Sequence, residues 1–195
     1  MNDDYYSPHP RIVLSRPILI GGQLGCGARM VGRMLAARTG LPFVEVDRRI
    51  EHEVGTSIAD LAARTSVDAV SRRARNVLEA CALQRPSSVV VLDAAWPSRD
   101  ARSLFGRRME FVYVERPATY LLDRIEKEIH RGGRWLLGDQ PFAFRNPDDL
   151  APLHAVRSEI LSAATVRYDA GDQHPHELVD GLLESIEAVF GAQAL

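Results

Sequence analysis

Three glycines, Gly22, Gly25 and Gly27, stand between the apolar run Ile18–Ile20 and a stretch of helical period that begins at Arg29. A glycine-rich turn from strand into helix lets the backbone wrap an anion, and the positive N-terminal end of the helix points at the same place. The spacing Gly22-x-x-x-x-Gly27 is that of a phosphate-cradling loop. Its next two residues are ordinarily a Lys that reaches the β- and γ-phosphates and a Ser or Thr whose hydroxyl holds Mg²⁺. Here Ala28 and Arg29 stand at those two positions. The backbone half of a nucleotide site is therefore retained and its side-chain half altered. Losing a charged contact to phosphate costs roughly 1.5–3 kcal/mol, whereas losing a cation that acts on the transition state can cost about 10³–10⁵ in rate. Binding is expected to outlast catalysis.

Arg29 lies one residue past the lysine position and so roughly 100° round the helix. Its planar fork could meet a phosphate from another angle; the alternative is an arginine paired with an acid or with solvent. Asp93 closes the apolar run "VVVLD", the form of a carboxylate that places Mg²⁺ or its water shell, although an acid there also serves as a helix cap or loop anchor. Asp47, at the end of "PFVEVD", could accept hydrogen bonds from substrate hydroxyls or cap the helix that follows. Arg131, Arg134 and Arg145 fall in "HRGGRWLLGDQPFAFRNPDD", a Gly-, Pro- and Arg-bearing stretch at residues 130–149 that reads as a lid. Such a lid would lay positive charge over transferring phosphates. The six histidines are scattered, and "HPH" has no Cys or acid at ligand spacing. Cys26 in the loop and Cys81 in a helical stretch suggest neither a disulfide framework nor a zinc site.

These residues need a scaffold that brings strand ends together. Strand-length apolar runs at Pro17–Gly22, Pro42–Asp47, Ser88–Asp93, Glu110–Arg116 and Thr165–Ala170 alternate with helical stretches. The helices are read at Arg29–Thr39, Val67–Arg85, Pro97–Phe105, Thr119–His130, Pro152–Ala163 and His176–Phe190, with "DRRIEHEVG" as a further short one. Alternation of this kind specifies an α/β domain with a parallel sheet, whose ligands bind outside the carboxyl ends of the strands. A chain of 195 residues suits one domain, here 11–195, with residues 1–10 as a flexible tail. Its 46% hydrophobic content and net charge of −2 fit a globular protein with no expectation of nucleic-acid or membrane binding. No apolar run approaches the roughly 20 residues of a membrane span, and the first residues lack signal-peptide form, so a cytoplasmic protein is expected.

Read together, the loop, "VGRMLA", "GLPFVEVD", "RRIE" and "GTSI" resemble shikimate kinase, of the nucleoside-monophosphate-kinase-like P-loop fold. The resemblance runs from about Pro17 to Leu183. It implies a three-layer fold with a five-stranded parallel sheet and helices on both faces. It also implies ATP and Mg²⁺ if the chain is active and no cofactor if it is not, with a small polyol acid as acceptor. On that reading the backbone of Gly22, Gly25, Gly27 and Ala28 holds phosphates, and Arg29 and the lid's Arg134 in "GRWLL" neutralise charge. Asp93 serves catalysis by placing the metal, and Asp47 with Arg157 of "LHAVRSEIL" orients the acceptor. The departures fall on working parts. Lys and Ser/Thr become Ala28 and Arg29; the family's F-R-x-x-E becomes Val70, Ser71 and Ala74, with Arg72 beside it. Its glycine triplet becomes "DAAW", in which Trp96 would fill an open pocket. The third strand, ending in Asp, is more similar to dephospho-coenzyme A kinase. A pseudo-kinase or a kinase of altered substrate is therefore expected. The alternative is a non-catalytic module with a protein partner, for which Trp135, Leu136, Leu137, Phe142 and Phe144 of the lid would supply an apolar surface.

Overall fold

The computed structural model of the chain describes residues 12–130, 148, 151–190 and 193–194. The expected tail and nearly all of the expected lid, Arg131, Arg134 and Arg145 included, lie outside the described residues. Within them the elements run β1 (Ile12–Val13), β2 (Ile18–Gly22), α1 (Ala28–Thr39), β3 (Phe43–Glu45), α2 (Val46–Val54), α3 (Ile58–Arg64) and α4 (Val67–Leu83). There follow β4 (Val89–Val91), a 3-10 helix (Arg99–Leu104), β5 (Glu110–Glu115), α5 (Ala118–His130), α6 (Ala151–Leu161), β6 (Val166–Asp169), α7 (Pro175–Phe190) and β7 (Gln193–Ala194).

Five strands pair in the order β3-β4-β2-β5-β6, and every pairing is parallel. The strand that feeds the glycine loop is thus central, between β4 and β5, with Ile18 in register with Val89 on one side and Glu110 on the other. Alternation along the strands divides the core in two, because successive side chains point to opposite faces. Ile18, Ile20, Val89, Val91, Val112 and Val114 join one cluster with Leu35 of α1, Ile125 of α5 and Leu182 of α7. Leu19, Val90, Phe111 and Tyr113 join the other with Ile50 of α2, Leu61 of α3, Leu78 of α4 and Ile160 of α6. Both faces are covered, so the central strands read as unbroken apolar runs. The five-stranded parallel sheet between two helical layers is as the sequence implies.

Apart from shifts of one or two residues at other element ends and the short strands β1 and β7, the structure differs from the sequence reading in three places. The strand expected over Pro42–Asp47 stops at Glu45, and Asp47 lies in the first turn of α2. Val46 continues the alternation of a strand, yet its side chain is buried as the first residue of a helix. The stretch Pro97–Phe105 forms a 3-10 turn over Arg99–Leu104 in place of an α-helix. The sequence reading also omits α3, which is capped by Ser57, whose hydroxyl accepts the Asp60 N–H at 3.1 Å. Gly55, at φ +71°, ends the preceding helix, so the "GTSI" segment is the corner between two helices.

One packing contact sets a test of the layer under the loop. A Cβ on Gly32 of α1 would lie 2.2 Å from Val91 Cγ1 and 3.2 Å from Phe43 Cε2. Gly32→Ala should therefore lose about 1–3 kcal/mol of stability through overpacking, outweighing the helix preference of alanine. A urea midpoint equal to or above the native one would contradict the close approach of α1 to β4.

Candidate active site

The loop between β2 and α1 is shaped by its glycines. Gly25 and Gly27 have φ of +84° and +85°, in the left-handed region that favours glycine. At Gly22 a Cβ would meet the Val114 carbonyl oxygen and Cys26 Sγ, each at 2.6 Å. The Cys26 N–H donates to the Gln23 carbonyl at 3.0 Å, closing the turn. Gly27 caps α1 without a side-chain hydrogen bond, and the first turn of α1 carries no acid. The positive end of the helix is therefore not neutralised from within the turn, which suits an anion. Burial pushes the Cys26 thiol up to about 11, only partly offset by a hydrogen bond from the Ala28 backbone. At neutral pH it is a packed thiol, not a nucleophile.

Over the loop lies a cavity of about 300 Å³, lined by Gly25, Gly27, Ala28, Arg29, Met30, Arg33, Asp93 and Arg124. Ala28, at the lysine position, turns its methyl into the core and is 3% exposed. Arg29 lines the cavity and is also paired with an acid, its Nε 2.7 Å from Glu45 Oε2. Arg33, one turn on, donates to Glu45 Oε1 at 2.9 Å and lies over the Phe43 ring. Arg33 and Arg124 were not singled out from the sequence. For Arg33 the available signal is its spacing of four from Arg29, which puts both on one helix face.

The donor set around the loop suits phosphates better than Mg²⁺. Gly27 leaves open space where a Cβ would be, and three guanidinium-bearing residues line the cavity. For a metal there is one lining carboxylate among the described residues, Asp93, and no hydroxyl at position 29. No group of three His, Cys, Asp or Glu side chains suited to a metal occurs among the described residues. Mg²⁺ demands near-octahedral oxygen ligation, and these residues do not fit it in the manner of the lysine-and-hydroxyl loop.

At the carboxyl ends of β2 and β4, Asp47, Asp93, Trp96 and Arg157 come together, three of them expected site residues and the fourth the expected plug. Asp47 does not cap α2; its carboxylate accepts the Ala94 and Ala95 N–H groups at 2.8 and 3.1 Å. Arg157, 8% exposed, donates from Nη1 to the Gly22 carbonyl at 3.1 Å and from Nη2 to the Asp93 carbonyl at 2.8 Å. Its guanidinium carbon stands 4.6 Å from the centre of the Trp96 ring. Trp96 is buried above Gly21, where a Cβ would sit 3.4 Å from the ring and 3.2 Å from Phe111. The side chains expected to orient an acceptor are thus engaged with backbone, and the Trp96 indole lies between the Arg157 guanidinium and Gly21 of β2. Arg116, just past the end of β5, is likewise buried and donates to the carbonyls of Ala170, Gly171 and Gln173.

Burial raises the Asp47 carboxyl from 3.8 to about 6, and the charge of Asp93 adds to this; the Ala94 and Ala95 N–H bonds and Arg157 oppose it. Between those values the folded protein holds the proton that the unfolded chain has released, so stability falls as pH rises from about 4 to about 6. Asp47→Asn removes that titration. The difference in melting temperature between native and D47N proteins, without nucleotide, should therefore change through that window and be level above it. Parallel profiles would overturn the assignment.

The shikimate kinase family model matches residues 24–187. Shikimate kinase from Zymomonas mobilis is 26% identical over 180 residues, covering 92% of this chain and 96% of the relative. Shikimate kinase 2 from Dickeya chrysanthemi is 30% identical over 131 residues, 67% of this chain and 75% of the relative. Among solved structures, the fold is shared with shikimate kinase from Acinetobacter baumannii in complex with shikimate. The TM-score is 0.74 at 22% identity, with 89% of this chain and 94% of that one covered.

Proposed function

The chain belongs to the shikimate kinase family, and on that premise we propose that it is a nucleotide-binding member with a degenerate ATP site, a pseudo-kinase toward shikimate. The observation that carries this reading is Ala28. The family's charged group over the phosphates is replaced by a methyl packed in the core, while the glycine backbone and the arginine-lined cavity remain. The closed acceptor side supports the same reading, since Asp47 is hydrogen-bonded to the 94–95 backbone and Trp96 fills the space beneath Arg157.

The family generally uses ATP and Mg²⁺. Here the loop would hold the phosphates of the nucleotide, while Asp93, the one lining carboxylate among the described residues, does not by itself make a Mg²⁺ site. A second reading, a small-molecule kinase of altered substrate, draws on Asp93 and Arg124 lining the same cavity as the loop. In it Arg29 and Arg134 would neutralise the transferring group, and Asp47 with Arg157 would orient a different hydroxyl-bearing acceptor.

The test is calorimetric titration with ATP and ADP beside an assay of shikimate-dependent ADP release. We expect nucleotide binding, with turnover about 10³-fold or more below that of the Zymomonas mobilis relative. Shikimate turnover equal to the relative's would overturn the pseudo-kinase reading, and no nucleotide binding at millimolar concentration would overturn the nucleotide reading itself.

A further inference from the structure

Glu45 is gripped by two guanidinium groups at once. Arg29 reaches Oε2 at 2.7 Å and Arg33 reaches Oε1 at 2.9 Å. The carboxylate side chain is 14% exposed, whereas the two arginine side chains are 44% and 63% exposed and line the cavity over the loop. Paired guanidiniums around a carboxylate use the same charge-assisted, planar donor geometry that recognises phosphate. Because both arginines are solvated, they can exchange one anion for another by side-chain rotation. The position that would offer a hydroxyl to a divalent ion instead offers a cation, which repels one.

We infer that the cavity takes a nucleoside di- or triphosphate free of Mg²⁺, with Arg29 and Arg33 supplying the positive charge and Glu45 acting as the internal anion that the phosphates displace. This rests on the nucleotide-binding reading above and goes beyond it in naming the form of the ligand. It also gives Glu45 a role as an affinity-setting residue. While the carboxylate holds both arginines it competes with any incoming phosphate, so removing its charge should tighten binding, not weaken it.

The experiment is calorimetric titration of the full chain with ATP and ADP, in EDTA and in excess Mg²⁺, on the native protein and on Arg33→Ala and Glu45→Gln. Expected are an affinity in EDTA at least equal to that in Mg²⁺, a loss of roughly tenfold in Arg33→Ala, and a gain of a few-fold in Glu45→Gln. Binding that requires Mg²⁺ overturns this inference and leaves nucleotide binding standing. No binding under either condition overturns both. Unchanged or weakened binding in a Glu45→Gln protein that melts like the native one overturns the displacement by Glu45. The EDTA and Mg²⁺ comparison on the native protein decides the ligand's form even where a variant fails to fold.

Discussion

Arg157→Ala lowers the melting temperature by about 6–20 °C, from a stability loss of about 3–5 kcal/mol spread over a domain of this size. The side chain is buried, bridges the carbonyls of Gly22 and Asp93, and stacks on Trp96. Gly22 is the last residue of β2 and Asp93 lies two residues past β4, so one guanidinium holds the end of β2 against the segment after β4. Truncation leaves acceptors without their charged donor, which costs more than the mean worth of a hydrogen bond. Burial pushes the Arg157 guanidinium down from its ordinary value, and Asp93, Cys26 and Asp47 push it back; the acids beside it therefore help to keep a costly buried cation charged. Arg157→Lys does not rescue, because a single ammonium cannot reproduce a planar fork lying on an indole. Thermal unfolding followed by circular dichroism checks this, and a melting temperature within about 2 °C of native would mean that neither bridge contributes.

How much of this was legible beforehand depends on where each partner sits. The glycine loop was readable because left-handed backbone at Gly25 and Gly27 demands glycine, and the central strands because burial on both faces leaves unbroken Val and Ile runs. Trp96 was readable as a plug because a large ring stands where small residues belong in the family pattern. Asp47 was displaced by the alternation of "VEVD", which continues strand-like across the first residue of α2. The bridges of Arg157 carried no sequence signal, since both acceptors are backbone carbonyls that every residue has. The grip of Arg29 and Arg33 on Glu45 was hidden for another reason: it joins α1 to the end of β3, a contact that only the register of β3 beside β4 brings about.

Trp96 carries the other large effect, and it separates packing from specificity. Its ring is buried in the second core cluster beneath Arg157 and against Gly21. Trp96→Ala should cost about 3–5 kcal/mol through the cavity it leaves. The indole N–H has no hydrogen-bond partner among the described residues. Trp96→Phe should therefore cost far less, because it keeps an aromatic face for Arg157 and removes a buried donor without a partner among the described residues. The two side chains are in contact, so their losses should not add: in the Trp96→Ala background, Arg157→Ala should cost less than in the native protein by a coupling of about 0.5–3 kcal/mol. The function of the ring is read in the same variants. If Trp96 closes the acceptor side, Trp96→Ala gains a calorimetric signal with shikimate at concentrations where the native protein and Trp96→Phe give none. Loss of stability without that gain would assign the ring to packing alone. Additive losses in the double variant would show that Arg157 and the indole stabilise the site independently, in spite of their 4.6 Å approach.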